Sequence, residues 1–571
     1  MSRSTWDWLR WPLAFSPALL PLAMIIHWGV DTHYWDEWDP GIAGLFIKLQ
    51  YHQLAFADLV AQHNEHRMLL PRLLFLLLST LTHWNNFAYL ICIWLIVTAI
   101  SAAILQILCR DTDLTPKTWV IWFLCNLMLF TPNQDQTWLW GFGLPNVLPG
   151  LLFLAAVVTA LGAIPPWRRL LIMILLASAA TFTNGNGLLC WPLLAIFLAF
   201  SKSWPQLLIW IAAAGLNLSL YFHHYVTPTF GGVTGDHGTP DQIIAYFLAF
   251  LGNPFSTAIP GFPETVCIMS GLAMLILFLI AALCFLRAWH ARRQEFCVRT
   301  LPWFVVAGFG LLNAFLAARS RAGFGIRQAL ETRYVCSSLY LPVGLIALVP
   351  FICRDLRLRV SCCLLAVPLI ALQALSFPGA LGACRKWSDS QRAVKAAILL
   401  IHVLPGNPQL VKVFPAPSIL VDEAEQLSAM QYLHPPLIAD PNANLIRQSD
   451  PFATADLRGR LQAGVPDFAN TIRLVGWAIS QNSQRPADAV FITYENARGQ
   501  SIICAMAEMG LKSPSVAEDF HNRDYLWSGW QIQLPVTLFP ADLNPIRLRA
   551  WALDTGTARA VPLDGSYWLQ R

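Results

Sequence analysis

Apolar runs separated by short polar segments fill the first two-thirds of the chain. They lie at Trp11–Val30, Met68–Leu81, Phe87–Leu108, Trp119–Phe130, Val147–Ile164, Leu170–Phe182, Leu188–Phe200, Leu207–Phe222, Thr265–Phe285, Leu301–Ala318, Ser337–Phe351 and Val360–Phe377. At 1.5 Å per residue the first is about long enough to cross a bilayer. Several are shorter than the roughly 20 residues of a full span, which predicts broken or tilted helices. Eleven to thirteen membrane helices are expected. Beyond Phe377 the pattern changes. From about residue 430 the chain is polar and rich in Pro, Gly and Asn, with period-two alternation in Thr471–Ile479, Ala489–Tyr494, Gly529–Pro535 and Pro545–Leu553. Such short alternating stretches bounded by turn residues predict strands, enough for a small β-sandwich. The expected organisation is a polytopic α-helical membrane module at 1–380, a linker at 381–435 with a helix near Glu423–Leu433, and a soluble β-rich domain at 436–571.

Composition supports the membrane assignment. The 571 residues are 56% hydrophobic and only 12% charged. A soluble globular chain carries about twice that charged fraction. The 24 tryptophans suit bilayer interfaces. The net charge of +5 is small, and the basic residues are scattered rather than gathered in a domain, which argues against a nucleic-acid partner. Arg3 and Arg10 precede the first run, but His27-Trp28-Gly29 is a poor cleavage site, so that run is expected to stay as a membrane helix. The thirteen cysteines lie mostly in apolar runs, where cysteine is a small apolar side chain, and spacing names no disulfide.

Lys and Arg in the short loops set the orientation. Arg287–Arg299, Trp167–Arg169 and Arg354–Arg359 should face the cytoplasm. The segments Asp31–Arg67, Thr131–Asn146, Thr183–Gly187, His223–Glu264 and Arg319–Tyr334, and the tail, then face outward. This predicts a multi-pass protein of the cytoplasmic (inner) membrane with an extracytoplasmic, or periplasmic, C-terminal domain. One region conflicts with that scheme. If Met68–Leu81 and Phe87–Leu108 both cross, Arg110–Lys117 lands outside and every later loop inverts. An additional or re-entrant helix, or a shifted boundary, is expected there.

Chemistry gathers in the outward segments. Asp31-Thr-His33-Tyr34-Trp35-Asp36-Glu37-Trp38-Asp39-Pro40 places four carboxylates beside aromatic side chains, which suit stacking on sugar rings. A carboxylate can act as general base, a role open to Asp36 and Glu37. Gln62–Arg67 adds His63, Glu65, His66 and Arg67, with Arg72 following. An arginine fork can hold a phosphate. The His63/His66 pair with Glu65 or Asp39 leaves a divalent metal open but defines no ligand set, and no cofactor is expected. Arg319-Ser-Arg321-Ala-Gly-Phe-Gly-Ile-Arg327 and Glu331-Thr-Arg333-Tyr334 set arginines on the side where basic loops are disfavoured, and binding an anion would explain them. Trp138 in Asn133–Gly143 and Asn184 in Thr183–Gly187 suit carbohydrate or, equally, caps and interfacial anchors. His223–Glu264, which includes Asp236, His237 and Asp241, carries a moderately apolar patch at Ile243–Leu251 that suits a lid or a surface helix.

This arrangement resembles the GT-C superfamily of integral-membrane glycosyltransferases of bacteria. The resemblance rests on Tyr34-Trp35-Asp36-Glu37-Trp38, on Glu65-His66-Arg67, on Trp138–Gly143 and on Glu331-Thr-Arg333-Tyr334, and covers roughly residues 12–380 as organisation more than identity. In the first outward segment Trp35-Asp36-Glu37-Trp38 takes the place of the DxD pattern known in some relatives. The resemblance implies transfer of a sugar from a polyprenyl-phosphate donor to a cell-envelope glycan, lipid or protein acceptor. Asp36 is then the base with Glu37 in support. Arg67, Arg327, Arg333 and Tyr334 hold the donor phosphate. Trp35, Trp38, Asp39, Glu65, His66, Trp138 and Asn184 contact acceptor and sugar. A polysaccharide or lipid transporter, a flippase, and a ligase of a preassembled glycan are the alternatives. The residues do not define the sugar or the oligomeric state.

Overall fold

The computed structural model describes residues 5–39, 41–110, 115–228, 238–353, 356–446, 456–467 and 470–570. Arg3, Pro40, Asp236, His237, Arg354 and Asp355 lie outside the described residues. The chain divides into two compact units. The first comprises Met1–Gly29, Ala55–Leu77 and Phe87–Trp387, and the second comprises Val30–Leu54, Leu78–Asn86 and Ser388–Arg571.

In chain order the helices are α1 (Thr5–Phe15), α2 (Leu19–Trp28), α3 (Ala43–Gln50), α4 (Phe56–Val60), α5 (Leu69–Thr82), α6 (Asn86–Leu108), α7 (Pro116–Leu129), α8 (Asp135–Leu139) and α9 (Leu144–Leu161). They continue with α10 (Pro166–Thr181), α11 (Cys190–Phe200), α12 (Trp204–Phe222), α13 (Pro240–Gly252), α14 (Pro263–His290), α15 (Gln294–Arg321), α16 (Val335–Ser338), α17 (Tyr340–Ile352) and α18 (Leu356–Leu399). Every apolar run of the sequence is helical. Among the described residues eight helical stretches are long and apolar enough to cross a membrane: Arg10–Trp28, Asn86–Leu108, Gly141–Leu161, Trp204–Phe222, Pro263–His290, Gln294–Phe324, Thr332–Ile352 and Cys362–Leu399. That is fewer than the eleven to thirteen expected, because α5, α7, α10 and α11 have only 14, 14, 16 and 11 residues.

Leu208, Ile211, Leu216 and Leu220 on α12, Leu279 and Leu283 on α14, and Leu364, Val367 and Ile370 on α18 are exposed. Rows of leucine and isoleucine on a helix surface are untenable in water and ordinary against hydrocarbon. The close crossing of α15 and α17 depends on small residues. A Cβ on Gly310 would come 2.6 Å from the Leu341 backbone nitrogen, and one on Gly344 would come 2.8 Å from the Ala307 Cβ.

The start of the bundle accounts for the conflict in the loop charges. Trp94 donates Nε1–H to the Ala18 carbonyl (2.8 Å), and Asn126 donates Nδ2–H to that of Ala14 (2.8 Å). Gly29, after α2, lies against the Phe87 ring, where a Cβ would come to 2.7 Å. Trp11 and Cys109 line one cleft at the other end. Helix α6 therefore starts where α2 stops and runs back beside it. The chain between them leaves and returns at one end of this helix pair, and α5, at 14 residues, is short of a full span. Arg10, Arg110 and Lys117 then share the opposite end. Phe200 meets Trp289 at 5.3 Å and Phe296 meets Phe351 at 6.1 Å, which brings later inter-helix turns of that parity together.

In the second unit, two antiparallel sheets form the C-terminal domain. One has the order β3 (Leu457–Asp467), β4 (Thr471–Ser480), β9 (Gly529–Pro535), β8 (Glu508–Leu511), with β5 (Arg485–Pro486) on β4; β1 (Gln62–His63) and β2 (His66–Arg67) form a separate hairpin in the first unit. The other has the order β11 (Arg559–Pro562), β10 (Ile546–Asp554), β6 (Ala489–Glu495), β7 (Ser501–Met506), with β12 (Tyr567–Leu569) on β10. Ile472, Leu474, Trp530, Val490, Ile492 and Leu548 share one core, so the sheets face each other as the alternation predicted. Ala396, Leu399 and Leu400 of α18 pack with Phe491, Trp551 and Leu553 on the far face of the second sheet. Burial on both faces explains why β6 is buried through its first five residues rather than alternating. Trp530 and Trp551 are core residues, and Trp477 sits partly buried against Phe520. The same unit takes in α3, whose Phe46 meets Tyr432 at 4.6 Å, and a helix α20 (Pro417–Ala429) that packs on α3; α19 (Gln409–Val413) precedes it. The thirteen cysteines are all free thiols.

Candidate functional site

In the first unit, the polar ends of several helices converge on the hairpin β1–β2. Asn64, at φ +48, makes the tight turn that Asn tolerates and sets Glu65 at its tip. Arg67 anchors the hairpin: Nε donates to the Tyr221 carbonyl (2.6 Å), Nη1 to that of Val60 (2.9 Å) and Nη2 to that of His223. Tyr221 donates its hydroxyl to the Glu65 carbonyl (2.8 Å). His66 Nδ1 accepts the Gly185 N–H (3.1 Å), so the neutral ring carries its proton on Nε2, which lies 3.9 Å from Glu65 Oε2.

Glu65 Oε1 accepts from Arg321 Nη2 (2.9 Å), and Arg321 Nη1 donates to the Tyr334 hydroxyl oxygen (2.6 Å). With that oxygen already accepting, the Tyr334 O–H remains a donor. The guanidinium carbons of Arg321 and Arg333 stand 5.8 and 5.3 Å from the Tyr334 ring centroid. Two carboxylates, Glu65 and Glu331, balance the two arginines, but the pairing is uneven. Arg321 is paired directly. Glu331 accepts from Gln136 Nε2 (3.2 Å), and among the described residues the Arg333 guanidinium makes no ion pair. The Arg333 backbone N–H donates to Gln136 Oε1 (3.2 Å), which fixes the chain on which that side chain is mounted. Beneath it, burial pushes the Asp135 carboxyl above its ordinary value against hydrogen bonds from Thr332 and the backbone, with the charge of Glu331 adding to the rise. Tyr246 joins the cluster through Gln328 Oε1 (3.4 Å).

The candidate residues of this unit thus separate. Glu65, His66, Arg333 and Tyr334 are together, and Asn184 sits beside Gly185, donating to Asn146 Oδ1 (3.2 Å). Arg67 is occupied by three carbonyls, which is an anchoring role rather than a phosphate-binding one. Arg327 is an exposed side chain paired with Glu264 (3.1 Å), on the surface. Trp138 is fully buried, stacks on Phe130 and donates Nε1–H to the Thr131 carbonyl (2.9 Å), so its ring presents no face to a sugar. Arg321 and Tyr246 are additional members. The arginine-rich run contained Arg321, but its role depends on α15 extending that far: residues two apart are on opposite faces of a helix, so Arg319 is exposed while Arg321 turns inward.

In the second unit, Trp35–Glu37 form one 3-10 turn. Glu37 is fully buried, and its Oε2 accepts the Tyr34 N–H (2.8 Å) while Oε1 lies 3.6 Å from His33 Nδ1. His33 stacks on Trp84 at 3.7 Å and donates Nε2–H to its carbonyl (2.8 Å). Trp38 is fully buried and donates to the His33 carbonyl (3.1 Å). Glu37 and Trp38 therefore build the segment and are not presented to an acceptor. Asp36 is half-buried and follows Trp35, which is exposed and held at φ +54, a strained setting for a large side chain. The Asp39 N–H donates to Glu423 Oε2 (3.1 Å). Burial, with the charge of Asp39 adding to it, lifts the Glu423 carboxyl to about 8. Gly44 permits this approach, since a Cβ there would come 2.9 Å from Asp39 Oδ1 and 3.0 Å from Glu423 Oε1.

Among the described residues no group of three or more His, Cys, Asp or Glu side chains is placed to hold a metal ion. No protein-family model, curated protein or solved structure matches the chain.

Proposed function

We propose that the chain is a membrane glycosyltransferase that moves a sugar from a polyprenyl-phosphate donor to a cell-envelope glycan, lipid or protein acceptor on the outer side of the cytoplasmic membrane. The observation that carries this reading is the Arg333 guanidinium, 5.3 Å from the Tyr334 ring centroid and with no ion-pair partner among the described residues, next to a Tyr334 hydroxyl that Arg321 already binds. Both residues stand at the start of the membrane-length stretch Thr332–Ile352. An arginine fork and a phenolic donor at the mouth of apolar helices suit a phosphate whose lipid tail lies along the helix surface.

In this reading Arg333 and Tyr334 stabilise the polyprenyl phosphate as it leaves the anomeric carbon. Asp36 is the candidate base that the resemblance implies for the acceptor hydroxyl. Glu37 is excluded from that role because its carboxylate caps its own turn. Glu65 and His66 line the donor side, with Arg321 holding Glu65 in place.

The test is a transfer assay with purified full-length protein and a panel of radiolabelled lipid-phosphate sugars. Arg333→Lys keeps the charge and loses the fork, so the donor KM should rise while the protein stays folded. Asp36→Asn should abolish transfer. Absence of transfer from every donor, or full transfer by Asp36→Asn, overturns the assignment.

A further inference from the structure

The second unit contains a cleft that the transfer reaction does not use. Asp31, Thr32, Trp84, Lys395, Tyr432 and His434 line it, and it encloses about 30 Å³ before opening outward. Lys395 is only 9% exposed, and the described residues give its ammonium no hydrogen bond and no ion pair. Three carboxylates lie within electrostatic range: Asp31, Asp488 and Asp554. Asp488 is already held by Arg485, by Arg392 (3.5 Å) and by Thr555 (2.8 Å). Asp554 caps the Gly556 N–H (2.9 Å) and accepts from Thr557 (2.7 Å). Asp31 spends one oxygen on the Asn86 N–H (2.8 Å).

Two neutral groups of the lining also lack partners. Thr32 Oγ1 and Trp84 Nε1 are buried without a hydrogen-bond partner. Polar groups held away from water without a partner are costly, so each gains from a ligand that supplies one. The backbone adds strain at the same place. His83 and Trp84 are consecutive non-glycine residues at φ +52 and +55, which fixes the indole against the cleft.

The lining therefore offers an ammonium, a hydroxyl and an indole N–H, against one carboxylate that is already half engaged. A ligand that matches an excess of donors brings acceptor oxygens. The enclosed space is too small for a sugar ring and suits the terminal group of a larger molecule. We propose that this cleft is a binding site for an oxyanion, either a carboxylate or a phosphate monoester, carried as the terminal group of a larger ligand. Lys395 is the charge that selects it, and Thr32 and Trp84 supply the neutral donors. The site is independent of the assignment of sugar transfer, and it stands if that assignment fails.

Hydrogen exchange read by mass spectrometry on the full-length protein in detergent tests it. Inorganic phosphate and D-glucuronate are titrated separately at constant ionic strength. Protection in peptides covering 30–38, 80–86 and 430–437 should rise and saturate with at least one probe. Lys395→Met should weaken that response about tenfold or more, and Lys395→Arg should restore most of it. A response to phosphate alone identifies a phosphoryl ligand, to glucuronate alone a carboxylate, and either supports the site. Arg333→Gln, in the other unit, should leave these peptides' response unchanged, which separates it from phosphate held by the arginine cluster. If Lys395→Met lowers protection throughout the unit before any probe is added, Thr32→Val replaces it and should weaken the response several-fold. Absence of saturable protection with both probes, or an undiminished response in the folded variant, overturns the proposal.

Discussion

Replacing Glu423 by Gln should make the second unit more stable at alkaline pH. Glu423 is 6% exposed, and its carboxyl is lifted from an ordinary value of 4.5 to about 8. The sign follows from proton binding. Below pH 4.5 both the closed and the opened states hold the proton, and the group contributes nothing. As pH rises from 4.5 to about 8 the opened state loses its proton while the closed state keeps it, so closure weakens steadily. At about 1.4 kcal/mol per pH unit, the full loss approaches about 5 kcal/mol above pH 8. Gln keeps the shape and an oxygen to accept the Asp39 N–H, and it does not titrate. The assay is hydrogen exchange of the segment 39–50 and of α20 in full-length protein, corrected for intrinsic exchange, at pH 5, 7 and 9. Wild type should open progressively more easily as pH rises, and Glu423→Gln should hold a nearly constant opening free energy. The two proteins should agree at pH 5. A difference between them that is the same at all three pH values would refute the assigned titration, because it would reflect a lost contact rather than a proton.

Three further outcomes follow from the geometry. Asp36→Asn should lower transfer by about a hundredfold or more without changing thermal unfolding, whereas Glu37→Ala should destabilise by about 1–3 kcal/mol through the orphaned Tyr34 N–H, as read by melting in detergent; equal activity losses with unchanged melting in both would contradict the separation of roles. Trp138→Phe should cost about 1–2 kcal/mol by leaving the buried Thr131 carbonyl unpaired, with the donor and acceptor KM unchanged; a raised acceptor KM in a fully stable variant would restore Trp138 as a sugar platform. In the β domain, burial raises the Asp488 carboxyl but the charges of Arg485 and Arg392 outweigh it and hold it below its ordinary 3.8, so its stabilisation is present above that value and lost as pH falls below it; Asp488→Asn should cost about 1–3 kcal/mol at neutral pH by removing the carboxylate that Arg485 and Arg392 share, Arg392 keeping Asp389 at 3.0 Å, and a melt no lower than wild type at pH 7 would contradict the pairing.

Periodicity revealed the elements and left their assembly hidden. The alternation at Thr471–Ile479 and Ala489–Tyr494 became β4 and β6 because a strand has only two faces, and burial of one face is written directly in the residues. The second unit could not be read this way, since it gathers Val30–Leu54 and Leu78–Asn86 with a tail more than 300 residues later in the chain. Nothing local in Asp39 points to Glu423. The candidate site was half legible. Glu65, His66, Arg333 and Tyr334 were visible as polar residues flanking apolar runs. Trp138 and Trp38 look like platforms in the sequence because composition says that a ring is present and not whether its face is covered. Arg67 carried the right chemistry, but the carbonyls that occupy it come partly from residues over 150 positions away.

Helix α5 sets a problem for the machinery that inserts this chain. Its run Leu69-Leu-Pro-Arg-Leu-Leu-Phe-Leu-Leu-Leu emerges from the ribosome looking like a stop-transfer signal, just after the first span has committed the orientation. Were it retained, the polarity of every downstream loop would be reversed. Arg72, the fourth residue of the helix, opposes that outcome, because an arginine in an apolar run raises the cost of partitioning it into lipid. In the folded protein the same guanidinium lies against the carbonyls of Asp58, Leu59 and Ala61 (3.1, 3.1 and 2.5 Å). One side chain is thus suited to two tasks: discouraging lateral exit into the bilayer during synthesis, and holding the segment Asp58–Ala61 in the folded chain. Insertion and assembly would then meet in a residue that lies outside the arginine and tyrosine cluster.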